Sequence, residues 1–232
     1  MRTIGLLGGL SWESSTEYYR TVNLEVQRRL GGLHSADCVL LSVDFQQVAD
    51  LQDAGDWTGI AAVLARGALD LQAAGADLLV LCTNTMHKVW EDLEAAVGIP
   101  LLHIGDVTAG AVRAASLRTV GLLGTSFTME EDFLTARLAG HGLTVRTPRD
   151  AGDRREVHRI IYEELCLGTV RPESRDLYRR TIDKLVEDGA EGIVLGCTEI
   201  EHLVGQQDSP VPLFPTARLH ALAAVDAALA EG

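Results

Sequence analysis

The chain has 232 residues, 47% of them hydrophobic, which is enough apolar side chain for one large domain or two small ones. Its formal net charge of −13 argues against nucleic acid or an anionic membrane as the main partner. The four cysteines are scattered, and neither a secretory signal nor an apolar run of membrane-spanning length is evident. We therefore expect a soluble, cytoplasmic protein with reduced thiols.

Short apolar runs alternate with longer helical patterns along the chain. This alternation predicts parallel strands joined by helices, and therefore an α/β fold. In chain order the predicted strands are TIGLL, DCVLLSV, DLLVL, PLLHI, TVGLL, LTVR, EGIVL and VPLF. Helices are predicted over residues 13–30, 58–74 and 173–187, and the polar stretch AGDRRE at 151–156 is predicted to be a loop.

The second half of the chain repeats the first. Residues 2–8, RTIGLLG, match residues 118–124, RTVGLLG, at six of seven positions, and GADLLVLCT at 75–83 aligns without gaps with GAEGIVLGC at 189–197. This repeat predicts two pseudo-symmetric half-domains, residues 1–115 and 116–232, with the C-terminal helix able to pack back on the first. Ligands of such sheets bind beyond the carboxyl ends of the strands, so we expect the active site in a cleft between the halves.

The repeat also fixes which polar residues correspond. With Leu81 aligned on Leu195, Thr83 falls opposite Cys197, and Cys82 falls opposite Gly196. A cysteine that follows a buried strand and precedes a helix is expected to have its pKa lowered from about 8.5 by backbone N–H groups and the helix dipole. Cys197 is therefore the candidate reactive thiol.

Metal and cofactor chemistry are less well supported by the sequence. A C-x4-H spacing recurs at Cys82–His87 and at Cys197–His202, but a zinc site needs a third or fourth ligand and no recognisable spacing supplies one. His87 is interpreted instead as a residue that orients its loop. The only lysines are Lys88 and Lys184, and the latter lies in an ordinary amphipathic pattern, which favours chemistry without pyridoxal phosphate.

Glycine-rich loops follow the first strand of each half. GLLGGLS at 5–11 lacks the G-x-G-x-x-G spacing of a dinucleotide site. We interpret it as a loop that approaches a small carboxylate closely, with Ser11 and the N–H groups after it as donors. GTSFT at 124–128, with Thr125, would mirror it in the second half.

These motifs together resemble the aspartate/glutamate racemase family over essentially the whole chain. The resemblance rests on IGLLGGLSWESST at the start, Asn84-Thr85-Met86-His87 in the first half and Gly196-Cys197-Thr198-Glu199 in the second. The branch most similar to this chain is that of bacterial broad aspartate/glutamate racemases, which share the form T-N-T-M-H. Most of the family has C-N-T-x-H instead, so Thr83 stands where the first cysteine is usual.

The resemblance implies a cofactor-independent racemase of an acidic amino acid, aspartate or glutamate, acting as a homodimer without a metal. Two groups on opposite sides of the substrate α-carbon would remove and return its proton, and by position they are Thr83 and Cys197. The family carries a lysine in many members where this chain has Cys166. The implied substrate-binding residues, together with those from the glycine-rich loops, are Leu10, Ser11, Gln52 in the loop after the second strand, Asn84, Thr85, Thr125, Thr198 and Glu199.

Two other functions fit the same scaffold. A decarboxylase or a cis–trans isomerase of a small dicarboxylate needs only one thiol, and Thr83 would then bind substrate. A non-catalytic amino-acid-binding module would keep the cleft without one of the bases. The racemase hypothesis is preferred because Cys197 and the rest of the pattern are both present.

Overall fold

The computed structural model describes residues 1–230, which form two compact units. The first comprises Met1–His103 together with the chain from His220, and the second comprises Ile104–Leu219. The sequence repeat divides the chain near residue 115 instead, because it marks where the repeated strands begin. Helix α5 (Ile104–Ala114) precedes that repeat and packs on α7 (Asp132–Gly140) of the second unit.

The first unit contains a four-stranded parallel sheet in the order β2-β1-β3-β4. Its strands are β1 (Ile4–Gly8), β2 (Cys38–Ser42), β3 (Leu78–Leu81) and β4 (Leu101–Leu102). Its helices are α1 (Trp12–Leu30), α2 (Phe45–Asp53), α3 (Trp57–Ala73), a 3₁₀ helix (Thr85–Val89) and α4 (Trp90–Ala96).

The second unit repeats this topology, with the order β6-β5-β7-β8. Its strands are β5 (Thr119–Gly124), β6 (Thr144–Arg146), β7 (Gly192–Gly196) and β8 (Leu213–Pro215). Besides α5 and α7, its helices are α6 (Ser126–Glu130), α8 (Ala151–Glu163), α9 (Pro172–Glu187) and α10 (Ile200–Leu203), with 3₁₀ helices at Leu165–Leu167 and Gln206–Asp208. Helix α11 (Thr216–Leu229) begins in this unit, and its residues from His220 belong to the first.

The predicted α/β architecture is confirmed: each predicted strand run overlaps an observed strand, and both sheets are parallel. The central strands β1, β3 and β7 are buried at every residue, since helices cover both faces of the sheets. Leu7 pairs with Leu81 and Leu123 with Leu195. The carboxyl ends of the repeated strands therefore lie side by side at one edge of each sheet.

The predicted loop at 151–156 is wrong, because these residues form the first half of α8. The Asp150 side chain caps this helix by accepting a hydrogen bond from the backbone N–H of Gly152, at 2.6 Å. Val157, Ile160 and Ile161 bury one face of the helix in the core. The polar run AGDRRE supplies mostly the outer face of an amphipathic helix, and its polarity concealed the helical period.

Candidate active site

Thr83 is the first half-buried residue beyond β3, whereas Cys82 before it is completely buried. The Cys82 thiol points back along its own strand, with Sγ 3.7 Å from the carbonyl oxygen of Val80, and burial raises its pKa far above the ordinary value. The backbone N–H of Thr83 donates to the carbonyl of Leu81 at 2.8 Å, which turns the chain sharply at the strand end. Of these two neighbours, Thr83 is the one that a ligand can reach.

Cys197 occupies the matching position in the second unit. It is half-buried and follows Gly196, the buried last residue of β7. Its thiol donates a hydrogen bond to Oε2 of Glu199 at 2.9 Å. In both units a buried residue, Cys82 or Gly196, comes directly before the partly exposed residue that the repeat aligns, which is Thr83 or Cys197.

The expected lowering of the Cys197 pKa is wrong. Burial and the negative charge of Glu199 raise the pKa of this thiol well above its ordinary value, and Cys166 acts in the same direction. Helix α10 has only four residues and begins at Ile200, so it provides little dipole. The thiol is therefore protonated at neutral pH, and a base must take its proton before it can act as a base itself.

Cys166 and Tyr178 belong to the surroundings of this thiol. Cys166 lies in the 3₁₀ helix Leu165–Leu167 and packs, as Cys197 does, against the core of the second unit. Tyr178 is buried and donates from its hydroxyl to the carbonyl of Val157 at 3.2 Å. Burial raises the pKa of both groups, so both stay protonated and uncharged beside Cys197 at neutral pH. The carboxylate of Glu199, which accepts the hydrogen bond of the thiol, is the proton acceptor beside Cys197.

The other predicted substrate residues of the first unit lie after its adjacent strands. Leu10 and Ser11 follow β1, and Asn84 and Thr85 follow β3, all of them buried. Ser11 has φ 98° at the start of α1, and its Oγ makes no hydrogen bond within residues 1–230. Gln52 is also buried, but it lies within α2 and not in a loop, because Asp44 caps a helix directly after β2.

In the second unit, Thr125 follows β5 and Thr198 and Glu199 follow β7, and all three are buried. Thr125 caps α6 by accepting from the N–H of Thr128 at 3.3 Å, and the two hydroxyls lie 3.0 Å apart. Since Gly124 pairs with Gly196, these residues share one edge of the sheet. Each unit therefore gathers its predicted site residues at the carboxyl ends of its own strands.

The two C-x4-H segments differ in structure. His87 is buried, with Nδ1 2.8 Å from the carbonyl oxygen of Thr83, whereas His202 is exposed at the end of α10. Across residues 1–230, no three histidine, cysteine or acidic side chains are arranged to hold a metal ion.

Over the same residues, no helix is long and apolar enough to cross a membrane.

Sequence reasoning missed the partners of His87. His103, which follows β4, and His220 in α11 lie with their ring centroids 4.7 Å and 5.9 Å from that of His87. Trp90 stacks on His87 at 5.5 Å with an interplanar angle of 7°. These residues come from separate segments of the first unit with no common spacing, so only the burial of His87 could have been suspected from its motif.

Comparison with known proteins finds relatives that match nearly the whole chain. A Yersinia pestis structure described as an Asp/Glu racemase candidate is 53% identical, with a TM-score of 0.92 over 99% of this chain and 100% of that one. An aspartate racemase homologue from Pyrococcus horikoshii OT3 is 32% identical, with a TM-score of 0.84 over 98% and 99% of the two chains. The broad specificity amino-acid racemase RacX of Bacillus subtilis is 22% identical over 98% of each chain.

A family profile covers nearly the whole sequence. It matches residues 7–224, a span that includes both strand-end motifs and both glycine-rich loops. The chain belongs to the Asp/Glu/hydantoin racemase family.

Proposed function

We propose that this protein racemises an acidic amino acid, aspartate or glutamate, without a cofactor. One observation carries the proposal: the Cys197 thiol is hydrogen-bonded to a carboxylate at the end of β7, and Thr83 has the corresponding position and partial exposure after β3. Two proton-transfer groups at equivalent strand ends are what a two-sided reaction needs. The names of the Yersinia pestis and Pyrococcus horikoshii relatives support an acidic substrate.

The reaction begins with proton transfer within the second unit. The Glu199 carboxylate accepts the proton of the Cys197 thiol across their 2.9 Å hydrogen bond and leaves a thiolate. The thiolate then removes the α-proton of one enantiomer, and the Thr83 hydroxyl donates a proton to the opposite face of the carbanion. The alkoxide left on Thr83 regains a proton from water, and the protonated Glu199 releases one to water, which restores both groups. A hydroxyl is a far weaker base than a thiolate, so the transition state of proton transfer at Thr83 is the higher of the two and limits the reaction in both directions. The equilibrium constant remains one because the enantiomers have equal free energies.

Substrate binding in the proposal uses the buried polar residues of the strand ends. Ser11 offers a hydroxyl with no hydrogen bond inside the described chain, at the N-terminus of a 19-residue helix, which suits a carboxylate. Asn84 and Thr85 beside Thr83 and Thr198 beside Cys197 are the further proposed ligands, with Leu10, Gln52 and Thr125. Glu199 is now given the role of proton acceptor, because its carboxylate already bonds the thiol.

Cofactor independence is also part of the proposal. A Schiff base requires a lysine, and the chain has only two. Lys184 is exposed and paired with Asp153 at 2.7 Å, and Lys88 lies 3.8 Å from the centroid of the Trp57 ring. Activity should survive treatment with a chelator and with hydroxylamine.

We propose in addition a cytoplasmic homodimer with no nucleic-acid or membrane partner, and light scattering would measure the oligomeric state.

The decisive experiment follows the α-proton. Each enantiomer of aspartate and glutamate is incubated with the protein in D2O, and optical rotation and α-deuterium are recorded together. Wild type should racemise at least one pair with deuterium at the α-carbon. Cys197→Ser should abolish racemisation from both enantiomers, whereas Thr83→Ala should still allow deuterium to enter one enantiomer with retention.

Three outcomes would refute the proposal. Turnover of a substituted malonate or of maleate, with none of aspartate or glutamate, would indicate the single-thiol decarboxylase or isomerase. Tight amino-acid binding without α-proton exchange would indicate a binding module. Activity lost on chelation or hydroxylamine treatment, and restored by zinc or pyridoxal phosphate, would overturn the mechanism.

A further inference from the structure

His87 makes a direct contact with the backbone of Thr83. Its Nδ1 lies 2.8 Å from the Thr83 carbonyl oxygen. A carbonyl oxygen can only accept, so Nδ1 carries the proton and donates it, which leaves Nε2 without one in the neutral ring. The backbone N–H of His87 also donates to the carbonyl of Asn84 at 3.1 Å. One residue therefore holds two successive carbonyls of the turn that presents the Thr83 side chain.

The His87 ring is fixed on several sides. Trp90 stacks on it nearly parallel, at 5.5 Å between centroids, and the His103 ring lies 4.7 Å from it at 59°. Trp90 and His103 also contact each other at 4.6 Å. Rotation of the imidazole would require these buried rings to move with it, so the Nδ1 donor has a single direction.

The His220 ring, which also contacts His87, has a hydrogen-bond partner at each of its two nitrogens. His220 Nε2 lies 2.9 Å from the carbonyl of Leu102, so Nε2 carries its proton, and Nδ1 accepts from the Tyr18 hydroxyl at 3.0 Å. Burial together with the neighbouring His103 and His220 lowers the pKa of His87 well below its ordinary value. The neutral imidazole therefore has one N–H, and that N–H is committed to Thr83.

The second unit has no equivalent of this arrangement. With Thr83 aligned on Cys197, His87 aligns with Glu201, which is only half-buried, and the nearby His202 is exposed. The thiol of Cys197 is held instead through its own side chain by Glu199. Within residues 1–230 no carboxylate is hydrogen-bonded to the Thr83 hydroxyl, so the placement of this hydroxyl depends on the backbone that carries it.

We propose that His87 is a positioning residue for the reaction, which sets the direction of Thr83 by holding its carbonyl oxygen. The inference rests on the proposed function, because it assigns His87 to the Thr83 face only. Thr83 is bonded on both sides, by its N–H to Leu81 and by its carbonyl to His87. Loss of the second bond frees the peptide plane between Thr83 and Asn84, and a displacement of about 1 Å at a reacting group costs on the order of a hundredfold in rate.

Two amide substitutions test the donor directly. His87→Asn places its amide nitrogen near the position of Nδ1, and His87→Gln places it near that of Nε2. Gln should lower the kcat of racemisation roughly ten- to a hundredfold with little change in KM, whereas Asn should retain most of the activity. In the Gln variant, deuterium should still enter one enantiomer with retention at a rate within about threefold of the wild-type rate, because that exchange needs only Cys197.

Several results would overturn the inference. Equal loss of racemisation and of one-sided exchange in His87→Gln would mean that the residue serves only folding. Equal activity of the Asn and Gln variants would mean that the Nδ1 donor is irrelevant. Should neither variant fold, ¹⁵N NMR of the wild-type imidazole decides, since a proton on Nε2 is incompatible with the proposal. Wild type that neither racemises nor exchanges would refute the proposed function itself, and this inference with it.

Discussion

The Cys197 thiol donates a hydrogen bond to the Glu199 carboxylate across 2.9 Å, within one strand-end turn of the second unit. The same carboxylate has two opposing effects. Its negative charge raises the pKa of the thiol, which favours the protonated form, and it provides an acceptor to which that proton can move without crossing to solvent. Proton transfer to Glu199, and not a permanently ionised thiol, is therefore the activation step in the proposed mechanism.

Glu199→Gln should separate these two effects. The amide keeps the shape but cannot accept the proton, so we expect racemisation to fall by about a hundredfold, within the usual range for loss of a general base. Because the negative charge is also lost, the pKa of Cys197 should fall and its alkylation by iodoacetamide at pH 8 should become faster. A slower enzyme with a more reactive thiol is the expected signature.

Glu199→Asp is the matched control, since it keeps the carboxylate and shortens its reach. It should be intermediate in racemisation and should change alkylation less than Gln does. If Glu199→Gln racemised at the wild-type rate, Glu199 would be a structural or binding residue and would not accept the thiol proton.

Cys82 provides a test of the register between the halves. It is completely buried, its Sγ faces the carbonyl of Val80, and it aligns with Gly196. Cys82→Ser should therefore leave kcat within about threefold of wild type while costing roughly 1–3 kcal/mol of unfolding free energy for the buried hydroxyl. Steady-state rates and urea denaturation measure the two quantities. A Cys82→Ser variant as inactive as Cys197→Ser would show that Cys82 is the base of the first half.

Thr83→Cys offers the complementary change. It places a thiol at the partly exposed position after β3, where the C-N-T-x-H motif of most of the aspartate/glutamate racemase family has its cysteine. We expect equal or higher racemisation from both enantiomers, because a thiolate is the better base and an equilibrium constant of one keeps kcat/KM equal in the two directions. Initial rates measured separately from each enantiomer check this expectation. A loss of activity in both directions would contradict the assignment of Thr83.

The sequence predicts the parts of this structure that depend on local pattern. Buried parallel strands consist of continuous apolar residues, so each strand run could be found, and the repeat placed Thr83 opposite Cys197. The pKa of Cys197 could not be predicted, because it depends on the burial of the thiol, on the direction of the Glu199 side chain and on Cys166, which is remote in sequence. The ring cluster around His87 was hidden for the same reason, since tertiary packing alone assembles it.

Gly9 lies in the loop between β1 and Ser11, and its backbone demands glycine. Its φ is +84°, and a Cβ at this position would overlap the backbone N and O of Val43. Gly9→Ala should lower the free energy of unfolding by more than the roughly 1 kcal/mol expected from the left-handed conformation alone. Gly55→Ala is the matched control, because φ there is +70° but no atom lies within 4 Å. Equal losses in urea denaturation would show that the Val43 backbone moves away freely.

The final prediction concerns stability in acid. Burial lowers the pKa of His220 to about 4, against an ordinary value of 6.5, and the pKa of His87 is lowered too. Between these values the unfolded chain binds a proton that the folded chain does not, so stability rises with pH in this range. The His220 contribution is complete above pH 6.5 and is lost as the pH falls toward 4, on the order of 3 kcal/mol. Urea denaturation at a series of pH values between 4 and 7 measures it.

His220→Gln tests the origin of this loss. The amide can still donate to the carbonyl of Leu102, as Nε2 does at 2.9 Å, but it cannot be protonated in this range. The variant should be less stable at pH 7, because the Tyr18 hydroxyl loses its imidazole acceptor, and yet its stability should depend less on pH below 6.5. His34→Gln, at an exposed position, should leave the slope unchanged. If His220→Gln retained the full wild-type slope, the acid sensitivity would come from other groups, and the neutral state of the buried His220 would contribute nothing to it.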